Sequence, residues 1–305
     1  MKKKIIIAGI VLFCIIALII FLCAKNINND NEKEQDNNNF KIVTSFYPVY
    51  IMAENITKGA SNIELSNMAE VNGGCLHDYT LATSDVKKLE NADVFIENGV
   101  GIENFTEKLL QIYSEIKVID SSNGISDIIK EEDEENGHLW TSIENYKKQV
   151  ENITEELCKY NPENSEAYKK NSIEYIEKIE EVNSKYKNEL KDLSGDKAIC
   201  LNEAFAYLGR DLNLDMIMVE TDHEESTLSA DKLKEIINQA KESNIKIIII
   251  GEDDNTQNAE TIASETGAKI YKLKTGMGGD YSENSYIDDI EYNLQMLKEM
   301  KLREV

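Results

Sequence analysis

Between Asn164 and Leu193 the chain runs roughly 30 residues with neither Pro nor Gly. Its apolar positions, Ala167, Ile173, Ile176, Ile179, Val182, Tyr186 and Leu190, return at steps of three and four, which lines one face of an α-helix. A helix of that length spans about 45 Å at 1.5 Å per residue. One small domain does not need such a rod; two domains side by side do. The spacing therefore predicts a linking helix over residues 163–194, with Gly195 as its stop signal, and a fold built on either side of it.

Both sides repeat one rhythm. Ahead of the rod, Phe40 to Ser45, Asn62 to Met68, Asp93 to Glu97 and Lys117 to Asp120 read as strands. Val49 to Thr57, Ser84 to Asn91 (Ser84 as N-cap), Phe105 to Ser114 and Thr141 to Tyr160 read as helices. Beyond it, the strands are Lys197 to Leu201, Met216 to Glu220, Lys246 to Gly251 and Lys269 to Leu273. Helices begin at Glu203 and cover Ala230 to Ser243, Thr256 to Gly267 and Tyr286 to Lys301. Four consecutive isoleucines, Ile247 to Ile250, mark a strand buried on both faces. Strands alternating with helices predict an α/β fold with two lobes, residues 40–162 and 195–305, each holding an about four-stranded parallel sheet. The 305 residues suffice for two domains.

The first 24 residues are of another kind. Met1 to Lys4 is basic, and Ile5 to Ala24 is an uncharged run of about the 20 residues that span a bilayer as a helix. Residues 1–24 read as a signal peptide or membrane anchor, with the body on the extracytoplasmic face of the cell membrane. Cys23 suggests a lipidation site, although Leu22 stands where a small residue is expected. Anchoring by lipid or by the uncleaved helix both remain open. Residues 25–39 are Asn, Asp, Glu and Lys with almost nothing apolar, and read as a flexible tether. The net charge of −24 repels nucleic acid, which is no expected partner, and draws cations. Five cysteines without C-x-x-C spacing indicate neither a disulfide framework nor a Cys-rich zinc cluster; one bridge among Cys75, Cys158 and Cys200 stays open.

The chain has three histidines. His77 lies in the loop Gly73 to Tyr79, between a strand end and a helix start, where open α/β sheets place ligands. A loop histidine is also an ordinary solvated side chain, so its context has to decide. His138 lies in Gly137-His138-Leu139-Trp140 with the only tryptophan, after the acidic run Glu131 to Glu135, itself expected as a solvated loop. His223 lies in the polar loop Asp222 to Ser226. There is no H-E-x-x-H, G-x-S-x-G, P-loop or dinucleotide fingerprint, which argues against an enzyme.

Taken together these segments resemble the zinc- and manganese-specific substrate-binding proteins of ABC importers, the group also called cluster A-I. Thr44-Ser45-Phe46-Tyr47-Pro48 is similar to that family's first strand and turn. Cys75-Leu76-His77-Asp78-Tyr79 with Ser84-Asp85 is similar to the loop of its first metal-ligand histidine, and Gly137 to Trp140 to that of its second. Ala204-Phe205 with Tyr207-Leu208, Ala259 to Ala263, and Ser285-Tyr286 through Tyr292-Asn293-Leu294 complete the pattern. The resemblance implies a binding protein that captures zinc, or manganese, between two lobes and delivers it to an ABC permease in the membrane. It implies His77 and His138 as metal ligands. Two usual ligand positions are substituted. Asn202 stands at the third and Lys274 at the fourth, where an amide is a poor zinc ligand and an ammonium is none. Glu203, His223, Glu252 to Asp254 and Asp280 offer replacement donors. The alternative is a diverged, metal-independent binding protein or scaffold of the same fold.

Overall fold

The computed structural model describes residues 39–69, 79–131, 134–219 and 228–301. The apolar N-terminal run, Cys23, the tether up to residue 38, and the loops carrying Cys75, His77 and His223 lie outside them. Residues from Phe40 onward form one compact unit.

The first sheet consists of β1 (Phe40–Thr44), β2 (Ile63–Asn67), β3 (Val94–Glu97) and β4 (Lys117–Asp120), in the order β2-β1-β3-β4 and parallel throughout. Its crossovers carry α1 (Tyr47–Thr57), α2 (Thr83–Lys88) and α3 (Thr106–Ile112). The N-cap of α2 is Ala82 rather than Ser84. The reason is Asp85, whose Oδ2 accepts from the Ala82 N–H at 2.8 Å and so starts the helix two residues earlier. The acidic run is not wholly irregular: β5 (Lys130–Glu131) pairs antiparallel with β6 (Glu134–Glu135), and the Lys130 ammonium meets Glu135 Oε1 at 3.1 Å.

After α4 (Ile143–Tyr160) comes the rod, α5 (Ser165–Glu189), of 25 residues. It packs on α1, on α4 and on the last helix. It is shorter than the sequence spacing predicts. At Leu190 the chain tightens into the 3-10 turn Lys191–Leu193, whose three-residue repeat sets Leu190 and Leu193 on one side, and both are buried. Gly195, with φ +88°, serves the next turn and donates to Asn213 O.

The second sheet consists of β7 (Lys197–Cys200), β8 (Asp215–Met218), β9 (Ile247–Gly251) and β10 (Lys269–Leu273), parallel and in the order β10-β9-β7-β8. Its helices are α6 (Ala206–Leu212), α7 (Ala230–Glu242), α8 (Gln257–Thr266) and α9 (Ser285–Lys301). Side chains alternate across a strand, so the isoleucines of β9 divide between two cores. Ile247 and Ile249 join the large core that the sheet shares with the rod and the first half, whereas Ile248 and Ile250 face a separate core with Ile236, Ala240 and Ile262. Each such buried side chain stabilises the fold by about 1.5–3 kcal/mol. The predicted α/β fold with two four-stranded parallel sheets and a long helix is what the chain forms. Cys158 and Cys200 are not joined by a disulfide.

Candidate metal centre

The site is built around the segment after β6. Gly137 presses on Ile102: a Cβ at residue 137 would lie 2.7 Å from Ile102 Cβ, so only glycine fits. The Gly137 carbonyl accepts from Asn98 Nδ2 at 2.9 Å. This holds His138 at the start of the 3-10 turn Leu139–Thr141, which Ser142 turns into α4 by accepting from the Asn145 N–H. The His138 side chain is 3% exposed. Its ring lies 5.2 Å from that of Trp140, which meets Phe46 edge-on.

From the other side comes the turn after β7. Asn202 caps the 3-10 turn Glu203–Phe205 through Oδ1, which accepts from the Ala204 N–H at 3.0 Å. Glu203, in that turn, has Oε1 4.0 Å from His138 Nε2 and a side chain 30% exposed. These two are the sequence-predicted residues that the described chain brings together. Among the described residues, no three His, Cys, Asp or Glu side chains converge as a cluster able to hold a metal ion.

Asn202 and Lys274, which the resemblance sets at ligand positions, are both engaged in contacts of their own. Asn202 Nδ2 donates to both oxygens of Asp254, at 3.1 and 2.9 Å, and Asp254 Oδ2 also accepts from the Gly251 N–H. Lys274 follows β10, with its backbone clasped by Asn293: the amide oxygen accepts from its N–H at 2.8 Å, and the amide nitrogen donates to its C=O at 2.9 Å. Its ammonium donates to Asp289 Oδ1 at 2.8 Å and lies over the Tyr292 ring. The Asp289 hydrogen bond raises the lysine pKa, so the ammonium stays charged. Burial raises the Asp289 carboxyl against the pull of that ammonium. Asp280 is exposed and accepts from the Ser282 N–H at 2.9 Å. His77 and His223 lie outside the described residues.

The halves meet through polar and aromatic contacts around Trp140. Its indole N–H donates to Thr275 O at 2.8 Å, and its carbonyl accepts from Tyr286 OH at 3.0 Å. Tyr286 stacks on Tyr146, with centroids 3.4 Å apart. Beside them a cavity of about 40 Å³ is lined by Trp140, Phe205, Lys274, Tyr286 and Asp289 among others. It has the size of one or two waters.

Sequence reading missed Asn136 and Asp289. Asn136 had a local signal, since asparagine commonly bonds the backbone two residues on, and its Oδ1 accepts from the His138 N–H at 3.0 Å. Asp289 had none; it meets Lys274 from the next helix.

Residues 42–300 match the family model described as ZnuA, zinc-uptake complex component A, periplasmic. The high-affinity zinc uptake system protein ZnuA of Bacillus subtilis is 29% identical, over 95% of this chain and 97% of that protein. The manganese-binding lipoprotein MntA of Halalkalibacterium halodurans is 25% identical, over 93% of this chain and 96% of that protein. Among solved structures, the substrate-binding protein FpvC of Pseudomonas aeruginosa in complex with Ni2+ superposes with a TM-score of 0.78 at 26% identity, over 88% of this chain and 98% of that one. With most of the chain covered by the family model, and the same two-sheet fold in the solved structure, the chain belongs to the ZnuA family of zinc-uptake substrate-binding proteins.

Proposed function

We propose that the chain is the extracytoplasmic, membrane-tethered substrate-binding component of a metal-ion ABC importer. It captures zinc first, and manganese second, in the crevice between its halves, and passes the ion to the permease without any covalent step. His138 and Glu203 supply two donors and His77 a third; His223 is the candidate from the remaining loop. The observation that carries this reading is the 4.0 Å between His138 Nε2 and Glu203 Oε1. That is too long for a hydrogen bond. Two donors on one tetrahedral zinc stand roughly 3.3–3.5 Å apart, so the pair needs to close by only about half an ångström. Neutral imidazole and carboxylate suit zinc, and acid weakens binding by protonating both. The acidic surface raises the local concentration of cations.

The test is calorimetric titration of the full chain with zinc and with manganese near neutral pH. One site per chain is expected, with zinc the tighter, and with zinc binding weakened by His77→Gln, His138→Gln or Glu203→Gln. No heat from either metal rejects the reading. Lys274 at a usual ligand position favours a second reading, a metal-independent binder of the same fold. Asn202→His with Lys274→Asp discriminates: metal affinity gained from a non-binding parent supports the second reading, and a parent that already binds tightly excludes it.

A further inference from the structure

We propose that Asn136 is the positioning residue of this site: its single side-chain amide sets the ring tautomer of His138 and ties Glu203 to it. The proposal rests on the metal-binding reading only for its consequence in affinity; the tautomer follows from geometry alone.

Asn136 is 6% exposed. Its Oδ1 lies 3.0 Å from the His138 backbone nitrogen and 3.0 Å from ring Nδ1. A backbone N–H only donates, so the amide atom facing it is the oxygen. The other end of the amide agrees, since Nδ2 donates to the Glu203 carbonyl at 3.1 Å. An amide oxygen only accepts, so ring Nδ1 carries the proton. In the neutral ring the lone pair then sits on Nε2, the nitrogen turned toward Glu203 Oε1. The donor is thereby aimed before any ion arrives.

The same residue joins the two halves. His138 belongs to the segment after the first sheet, and Glu203 to the turn after β7, yet both hang on one amide. Asn136 is itself pinned from the second half, because its carbonyl accepts from Tyr207 OH at 2.6 Å. Groups that orient a metal-bound histidine typically contribute ten- to hundred-fold to affinity, and Asn136 acts on the histidine and on its carboxylate neighbour together.

Nitrogen-15-labelled histidine in the metal-free full chain reads the ring protonation from its two-bond proton couplings, with His138→Gln identifying the signal. Protonation at Nδ1 is expected; protonation at Nε2 overturns the proposal. Asn136→Leu removes the acceptor, and Asn136→Asp keeps it. The leucine variant is expected to lose the tautomer preference and roughly ten- to hundred-fold in zinc affinity. The aspartate variant keeps the acceptor and loses the donor to the Glu203 carbonyl; it is expected to keep the tautomer and to recover only part of that affinity. A leucine variant that binds zinc within about two-fold of the parent overturns the proposal. Should the leucine variant not fold, as thermal unfolding will show, the parent and the aspartate variant decide. A parent that binds no zinc defeats the metal reading, and the tautomer measurement still decides this one.

Discussion

The Lys274 ammonium is held 2.8 Å from Asp289 Oδ1, which pins it to α9. The pair is asymmetric: the Lys274 side chain is 35% exposed and that of Asp289 12%. A unit charge 4 Å from another is worth about 4 kcal/mol at an effective dielectric of 20, and a divalent ion doubles that. A released ammonium would therefore oppose any metal in the crevice. Asp289→Asn is expected to lower zinc affinity by about ten-fold or more. Lys274→Met added to it is expected to restore most of the loss, the coupling a double-mutant cycle measures. Titration calorimetry on the four proteins checks this; an unchanged affinity in Asp289→Asn alone would show that Lys274 does not reach the ion.

Trp140 makes ligand binding visible. It is the only tryptophan of the chain; its ring lies 5.2 Å from the His138 ring and its N–H bonds Thr275 O across the crevice. Zinc drawn to His138 is expected to change its emission, with saturation at one equivalent. The His138→Gln variant is expected to show no such change at the same concentrations. Trp140→Phe also strands the Thr275 carbonyl and shrinks a buried side chain, and is expected to cost about 2–4 kcal/mol in denaturant unfolding.

Much of this architecture is written in local pattern. The isoleucine run foretold a strand buried on both faces, and β9 divides those four side chains between two cores. The rod was legible from its three- and four-residue steps, but not its end, because Leu190 and Leu193 turn inward together and helix spacing does not encode that. The start of α2 was misread at Ser84 because a cap formed by Asp85 folding back on Ala82 has no typical capping residue in front. In the site, the cap at Asn202 and the turn at Asn136 are contacts within two residues, the range at which sequence speaks. The partners of Lys274 and of Asn202 stand 15 and 52 residues away, and only the packing of α9 and β9 brings them in.

The two-core division of β9 has a mechanical consequence. Ile248→Ala opens a cavity in the core under α7 and α8, away from the crevice. Ile249→Ala opens one in the core shared with the rod and the first half. Each is expected to cost about 2–5 kcal/mol of unfolding free energy. Only the second should also loosen the halves, seen as faster hydrogen exchange at the Tyr286 and Thr275 amides. Equal exchange in both variants would mean that the cores are not separate in solution.

Beneath the His138 segment lies a carboxyl group that should make stability depend on pH. Glu103 is 5% exposed. Its Oε1 accepts from Ser45 Oγ at 2.7 Å and the Asn98 N–H at 2.6 Å, and its Oε2 from the Gly99 N–H at 3.1 Å. Burial and the neighbouring Glu97 push its pKa up to about 8, although those three donors pull it back. The protonated form fits the site, because the Ser45 hydroxyl can reverse and accept from it. An unfolded glutamate titrates near 4.3. Between roughly pH 4.3 and 8 the folded chain holds a proton that the unfolded chain has released, so the group's contribution to stability falls as pH rises through that window. The expected loss is on the order of a few kcal/mol, and it levels off above about pH 8. Urea unfolding at about pH 5.5, 7 and 8.5, on the parent and on Glu103→Gln, isolates the term from the other carboxylates. The parent is expected to lose more stability across the series than the variant. Parallel pH curves for the two proteins would mean that the three donors outweigh burial and that Glu103 stays ionised in the fold.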